Sequence, residues 1–380
     1  MDTDANTGAD AVALTRRLVA TPSHDDESAV GEVVADWLRD NTDATVSHDP
    51  EGAGVVARRG DADAADRVAL VGHHDVVAPD PSQVDESGGY VVEERTVERS
   101  DGAGDEESRL FGRGSADMKG SVAAAMVAFR DVDVPCTFAS FRGEEVGGVG
   151  ARHAIDEGFA PDYAIVGEGS TSYATPGVTD VVIAHKGRRG STVTARGRAC
   201  HASEPERGEN AIYRAAEAVD LVRAVEVPSA EVLGVSQSGS VAVTEIEGGS
   251  GWNVVPETCS FTVDERTVAG ERAPLERVED VPGVSWTVDQ DLPPMACDDE
   301  RFADAVLAAA DEEQERTPRQ VSKPHATDAG WLAQAGTTCV VCGASEPGEA
   351  HTATESVSIP VVERCARIYA NAVRRTALLD

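Results

Sequence analysis

The stretch Val71-Gly72-His73-His74-Asp75-Val76-Val77 constrains this chain more than any other. Arg67 to Leu70 runs straight into it, and the apolar, β-branched pattern predicts a buried strand. Side chains alternate along a strand, so His73 and Asp75 leave its carboxyl end on one side. An imidazole and a carboxylate so placed suit a metal ligand backed by a second acidic group. A ligating His needs a carboxylate or carbonyl to fix its tautomer. A core histidine beside a solvated aspartate is the plain alternative.

Four other stretches carry the same kind of chemistry. Gly112 to Gly120 holds Asp117, Arg142 to Gly148 holds Glu144 and Glu145, Ala164 to Gly169 holds Glu168, and Glu349 to Thr352 holds His351. Each sets an acidic residue or a His where a predicted strand gives way to a loop or helix. Two His and three carboxylates are too many for one tetrahedral zinc. They suit two zinc ions that share a bridging carboxylate.

With 380 residues the chain can build two domains with separate cores. Hydrophobic residues make up 41%, a globular composition. Asp and Glu number 68 against 33 Lys and Arg, for a formal charge of -35. That charge argues against nucleic acid or an anionic membrane as a partner. Scarce Lys with abundant Asp, Glu, Ala, Val and Gly resembles the bias of salt-loving archaea. In molar salt the Debye length falls to about 3 Å and self-repulsion becomes tolerable. Met1 to Gly8 has neither the basic nor the apolar part of a signal peptide, and no stretch has the length of a membrane span. Seven scattered cysteines fit a reducing cytosol, so a cytoplasmic location is expected. Cys339-Val340-Val341-Cys342 has CxxC spacing but lies in a β-rich run with no second pair, and reads as buried strand.

In chain order, helices are predicted at 10–20 and 27–39, and strands at 53–58 and 67–72. Residues 80–109 form a polar excursion whose end, Ser100 to Ser108, reads as a solvated acidic hairpin loop. A helix from Ser115 to Phe129, with Asp117 at its start, precedes a strand from Thr137 to Phe141. A helix at 149–157 and a strand at 163–166 follow. This alternation predicts an α/β layered sheet. The pattern changes near Ala184: strands at 190–198, 239–246, 258–265 and 283–288 surround a helix at 210–225. From Asp291 the layered pattern returns, with a helix at 299–313, a strand at 337–341 and a closing helix at 360–378. The expected division is a catalytic domain at 1–184 and 291–380, interrupted by a small α+β domain at 185–290.

Together these pieces resemble the zinc-dependent amidohydrolases that include succinyl-diaminopimelate desuccinylase, acetylornithine deacetylase, aminoacylase and glutamate carboxypeptidase. Gly72 to Val77, Gly112 to Gly120, Gly143 to Gly147 and Gly167-Glu168 match in order. So do His201 to Ile212, Trp252 to Pro256 ahead of Asp264-Glu265-Arg266, and His351-Thr352. The resemblance covers nearly the whole chain. It implies a mixed sheet covered by helices on both faces, with an inserted lid or dimerisation domain, and a homodimer. His73 and Glu168 would hold one metal ion and Glu145 and His351 the other, with Asp117 bridging and Asp75 behind His73. The ions would be zinc, with cobalt or manganese acceptable to so carboxylate-rich a set. Glu144 would be the general base, since it neighbours a ligand without occupying a coordination position. His201 would bind the carbonyl oxygen of the substrate, and Arg266 and Asn253 its α-carboxylate. Asn210 would touch substrate or orient the His201 loop. Gly169 stands where many relatives have Pro, and Glu265 where an apolar residue is commoner. The expected reaction is hydrolysis of an N-acyl amino acid or short peptide. Succinyl-diaminopimelate comes first, acetylornithine or acetyl-lysine second, and a dipeptidase or carboxypeptidase substrate third.

Overall fold

The chain begins with two helices, α1 (Asp2–Val19) and α2 (Ser28–Asn41), which lead into β1 (Thr45–His48), β2 (Val55–Arg59) and β3 (Val68–His73). This is a computed structural model that describes residues 2–61, 67–98 and 106–379, with side chains from Thr7 onward. β4 (Glu93–Glu98) and β5 (Glu106–Phe111) come next. They are followed by α3 (Gly120–Asp131), β6 (Cys136–Phe141), α4 (Val149–Asp156), β7 (Tyr163–Val166) and β8 (Val181–His185). A second run holds β9 (Gly187–Arg196), β10 (Cys200–His201), α5 (Ala211–Arg223), β11 (Ser229–Val232) and β12 (Val235–Ser238). It closes with β13 (Ser240–Gly248), β14 (Val254–Val255), β15 (Thr258–Thr267) and β16 (Val284–Leu292). The chain then returns with β17 (Met295–Ala296), α6 (Glu300–Glu312), β18 (Gln320–Lys323), α7 (Asp328–Gln334), β19 (Thr338–Val341), β20 (Ser356–Ser358) and α8 (Ile359–Thr376).

By its contacts the chain divides into two units. One is Met1–Ala184 with Ala296–Lys323 and Thr327–Asp380, and the other is His185–Met295 with Pro324–Ala326. In the first, a mixed sheet runs in the order β1-β2-β6-β3-β7-β19-β8-β17, with β18 added against β8. β6, β3, β7 and β19 are parallel to their neighbours, while β2 and β8 join them antiparallel. Every residue of β3, β6 and β8 is buried. Strands buried on both faces require helices on both faces, which explains why apolar residues dominate them with only small polar ones such as Thr137 and Ser140 between. α1, α3, α6 and α8 pack together, and α4 and α7 pack on each other and on β6, β7 and β19. Ala and Val fill α3, and its residues from Gly120 to Phe129 are all buried. Small side chains let this helix sit inside the molecule.

The second unit is an antiparallel sheet in the order β13-β15-β9-β16, with α5 packed on one face. Its core joins Val193, Phe261 and Val263 of the sheet to Ala211, Ala215 and Ala218 of the helix. Glu265 is buried here. It pairs with Arg189 at 2.5 Å and accepts the backbone N–H of Ala273 at 3.0 Å.

The polar excursion turned out to contain regular structure. β4 and β5 pair antiparallel, and β5 also pairs with β20. β4 is almost wholly exposed, so it lacks the apolar alternation by which a strand is recognised. The predicted acidic loop at its tip falls, over residues 99–105, outside the described residues. The helix predicted from Ser115 becomes regular only at Gly120, because Asp117 and Met118 have non-helical backbone angles. β1, β8, β18, β20 and α7 carried too few residues for a periodic signal.

Candidate metal centre

β6, β3 and β7 run side by side in parallel, and beyond their carboxyl ends lie His73, the Glu144–Glu145 turn and Glu168. Ligands of open α/β sheets bind at this edge. Asp117 arrives from the irregular turn before α3. Glu355 holds that turn: its Oε1 accepts the backbone N–H groups of Ala116 and Asp117 at 3.0 and 3.1 Å. Its Oε2 accepts from Arg113 at 2.6 Å, and both partners are buried. Removing one partner of such a pair costs about 3–5 kcal/mol. His351 comes from the loop between β19 and β20, with a left-handed φ of 64°.

These side chains converge on Asp117. Its Oδ1 lies 3.1 Å from His73 Nε2 and its Oδ2 lies 3.2 Å from His351 Nε2. His73 Nε2 also meets Glu168 Oε1 at 3.1 Å, and His351 Nε2 meets Glu145 Oε1 at 2.9 Å. Asp75 sits behind, with Oδ1 3.3 Å from His73 Nδ1. It does a second job that its spacing did not reveal: its two oxygens accept the backbone N–H groups of Glu144 and Glu145 at 3.1 and 3.0 Å. One carboxylate thereby ties the end of β3 to the turn after β6. The neighbouring His74 belongs to the core. Its Nδ1 contacts Ser140 Oγ at 2.7 Å, and burial pushes its pKa down to about 3.

Crowded acidic groups shape the titration of the cluster. Burial would lower His73, but hydrogen bonds to Asp117, Asp75 and Glu168 raise it well above the usual imidazole value. Hydrogen bonds to Asp117 and Glu145 push His351 up to about 10. Burial raises Glu144 well above the carboxylate range, aided by the charges of Asp328, Glu168 and Asp117 and opposed by that of His73. Asp117 stays well below it despite its burial, because both imidazoles bond to it.

Two sets of side chains bring ligand atoms within 4.8 Å of one another: His73, Glu144 and Glu168, and Asp117, Glu145 and His351. Each set is one imidazole with two carboxylates, a donor chemistry suited to zinc and its neighbours. Carboxylates so close repel one another, and positive charge placed between them relieves that repulsion. Divalent cations fit that demand. Glu144 lies in the first set, nearer a ligand's place than its proposed role as base required.

His201, Asn210, Asn253 and Arg266 lie in the second unit. His201 is exposed, with Nδ1 2.7 Å from Ser203 Oγ, and Ala202 N–H donates to the carbonyl of Asn253 at 2.9 Å. Asn210 caps α5, accepting Ile212 N–H at 2.9 Å. Arg266 turns its guanidinium onto Asp264, with Nε at 2.8 Å.

Sequence reasoning missed Lys323 and Asp328. Lys323 Nζ donates to Glu168 Oε2 at 3.0 Å and to the carbonyl of Gly169 at 3.2 Å. Asp328 is buried at the start of α7, and burial pushes it up to about 7. Each stands alone in a short element, with no motif to mark it.

The family model for peptidase family M20/M25/M40 matches residues 69–375. An acetylornithine deacetylase of Myxococcus xanthus is 29% identical over 344 residues, which takes in 84% of this chain and 82% of that protein. A probable carboxypeptidase of Paracoccidioides lutzii is 30% identical over 300 residues, covering 70% of this chain and 63% of its own length. Among solved structures, the aminopeptidase PepT of Bacillus cereus superposes with a TM-score of 0.78 at 19% identity, over 97% of this chain and 99% of its own. A dinuclear metal-binding peptidase of Bacillus subtilis gives 0.69 at 14% identity, over 97% of both chains. The matched span contains His73, Asp117, Glu144, Glu145, Glu168 and His351, and with it the chain belongs to peptidase family M20/M25/M40, as a metal-dependent hydrolase of linear amides.

Proposed function

We propose that the chain removes an acyl group from the nitrogen of an amino acid, using two divalent cations, zinc first and cobalt or manganese as substitutes. The observation that carries this reading is Asp117, which offers one oxygen to the His73 side and the other to the His351 side. His73 and Glu168 would hold one cation, Glu145 and His351 the other, and Asp117 would bridge them. Bound there, the cations would polarise the amide carbonyl and acidify water. Glu144 would take the proton from that water and hold it on its carboxylate until the leaving amine accepts it. Burial raises the affinity of the Glu144 carboxylate for that proton, which suits a carrier that must hold it between two steps. Asp75 would keep His73 in its ligating tautomer while fixing the backbone on which Glu144 swings.

From the second unit, His201 would bind the carbonyl oxygen, and Asn253 and Arg266 the α-carboxylate. Arg266 would share its guanidinium between Asp264 and substrate. Asn210, as the cap of α5, would hold the loop that carries His201. An acetylated basic amino acid stands ahead of succinyl-diaminopimelate, because the acetylornithine deacetylase of M. xanthus matches over most of its length. The carboxypeptidase relative supports a short peptide as the second reading. A cytoplasmic homodimer is the proposed assembly. β13 is an outer strand with Ile246 exposed, and Tyr213 on α5 and Trp252 are exposed in the same unit.

The test is a hydrolysis screen of acetylornithine, acetyl-lysine, succinyl-diaminopimelate and a dipeptide in molar salt, before and after chelation. Chelation should abolish turnover, and zinc or cobalt should restore it. Glu144→Ala should keep both metals yet lose turnover by roughly 10²–10⁴-fold, chiefly in kcat. Glu145→Ala should lose metal as well. Full activity of metal-free protein refutes the reading, and metal loss in Glu144→Ala alone reverses the two roles.

A further inference from the structure

Only three residues of this chain are lysines: Lys119, Lys186 and Lys323. Lysine is ordinarily a surface residue and is almost never buried unless paired. Lys323 is just 6% exposed, at the last position of β18. A buried ammonium is costly unless it is matched by charge and hydrogen bonds. Its match is Glu168: Nζ donates to Oε2 at 3.0 Å, and a second bond to the Gly169 carbonyl at 3.2 Å fixes the ammonium against the same turn. The other oxygen of Glu168, Oε1, faces His73 Nε2 at 3.1 Å. The two oxygens of this carboxylate are therefore divided between a protein cation and the metal centre.

The two halves of the centre differ accordingly. The side chains of His73, Glu168 and Lys323 are 2%, 11% and 7% exposed, whereas that of His351 is 50% exposed. The carboxylates of both halves are buried, Glu145 being 13% exposed, so the halves differ in the brace behind Glu168 and in the exposed imidazole of His351. We propose that Lys323 is a positioning residue: by holding Oε2 of Glu168 it reserves Oε1 for a divalent cation shared with His73. That cation position is thereby distinct from the one at Glu145 and His351. The inference rests on the two-cation reading above. Lysine suits the task because a compact ammonium fixes one oxygen, where the guanidinium fork of arginine would engage both.

The test is stepwise zinc binding to metal-free protein against a competing chelator, with cobalt absorption spectra as a second readout. The native chain should bind two ions. Lys323→Met should weaken one position by about 10–100-fold, the usual effect of removing a group that orients a ligand. The other position should stay within about twofold, well below that loss. In a Glu168→Gln background, Lys323→Met should add almost nothing, since its partner is already altered. Lys323→Gln, which keeps a donor without the charge, should give an intermediate loss at the same position and serves if Lys323→Met does not fold. Unchanged affinities in both variants, tighter binding in Lys323→Met, or full additivity with Glu168→Gln would overturn the proposal. A native chain that binds no divalent ion would instead overturn the two-cation reading.

Discussion

Acidic neighbours draw His351 and His73 towards their cationic forms. A cation can be ligated only by neutral imidazole, so metal uptake must displace their protons. His351 is pushed up to about 10 by Asp117 and Glu145, and His73 is also raised well above its ordinary value. Zinc binding at pH 8 should therefore release about one proton from His351, and affinity should fall steadily as pH drops. In metal-free protein the sign runs the other way. A group whose folded pKa is raised stabilises the fold below its unfolded value, here 6.5, and that contribution fades as pH rises through about 10. Titration calorimetry in buffers of different ionisation enthalpy counts the protons. Zinc binding without proton release would contradict the raised pKa of His351.

At the scale of elements, the site depends on turns more than on helices. Gly148, with φ of 72°, ends the turn that carries Glu144 and Glu145, and its N–H donates to the carbonyls of Gly143 and Glu144. A Cβ there would lie 2.5 Å from Trp331 Nε1 and 2.8 Å from Asp328 Oδ1, both on α7. Gly148→Ala should thus lose roughly 1–2 kcal/mol for the left-handed backbone. It should also lose turnover, because relieving the clash moves the turn that carries Glu144. Gly158 has φ of 93° but nothing within 4 Å of its Cβ position. Gly158→Ala should show the backbone loss alone, with kcat intact. Thermal melts and kcat for both variants make the comparison, and equal activities would show that the α7 contact does not position the turn.

For the molecule as a whole, the charge of -35 sets the conditions under which it folds. Ion pairs such as Arg39–Asp36 and Arg223–Asp220 lie at the surface, where each contributes at most about 1 kcal/mol. They cannot offset so large an imbalance at low salt, where the Debye length is about 10 Å at 0.1 M. The melting temperature should fall on passing from molar to roughly 0.1 M sodium chloride, because unscreened like charges repel across the surface. Chloride is the right anion, since sulfate would strengthen apolar burial as well. An equal melting temperature in both would remove the case for adaptation to salt.

The sequence carried the parts of this protein that follow from local pattern. Predominantly apolar runs without a charged residue marked β3, β6 and β7, because strands covered on both faces have no solvated side to show. The acidic and His residues at their carboxyl ends stood out for the same reason, as polar groups where an apolar run stops. Asp75 was legible as the partner of His73 through the period of the strand, but its grip on the Glu144–Glu145 backbone was not. That contact joins residues 69 and 70 positions apart and depends on β3 and β6 lying side by side. Lys323 is the clearest case of what local pattern leaves out. A lone lysine in a four-residue strand carries no periodic signal, and its meaning comes from Glu168, 155 residues away. Side-chain chemistry proposes the donors, but only the folded sheet sets which oxygen of each carboxylate faces which partner.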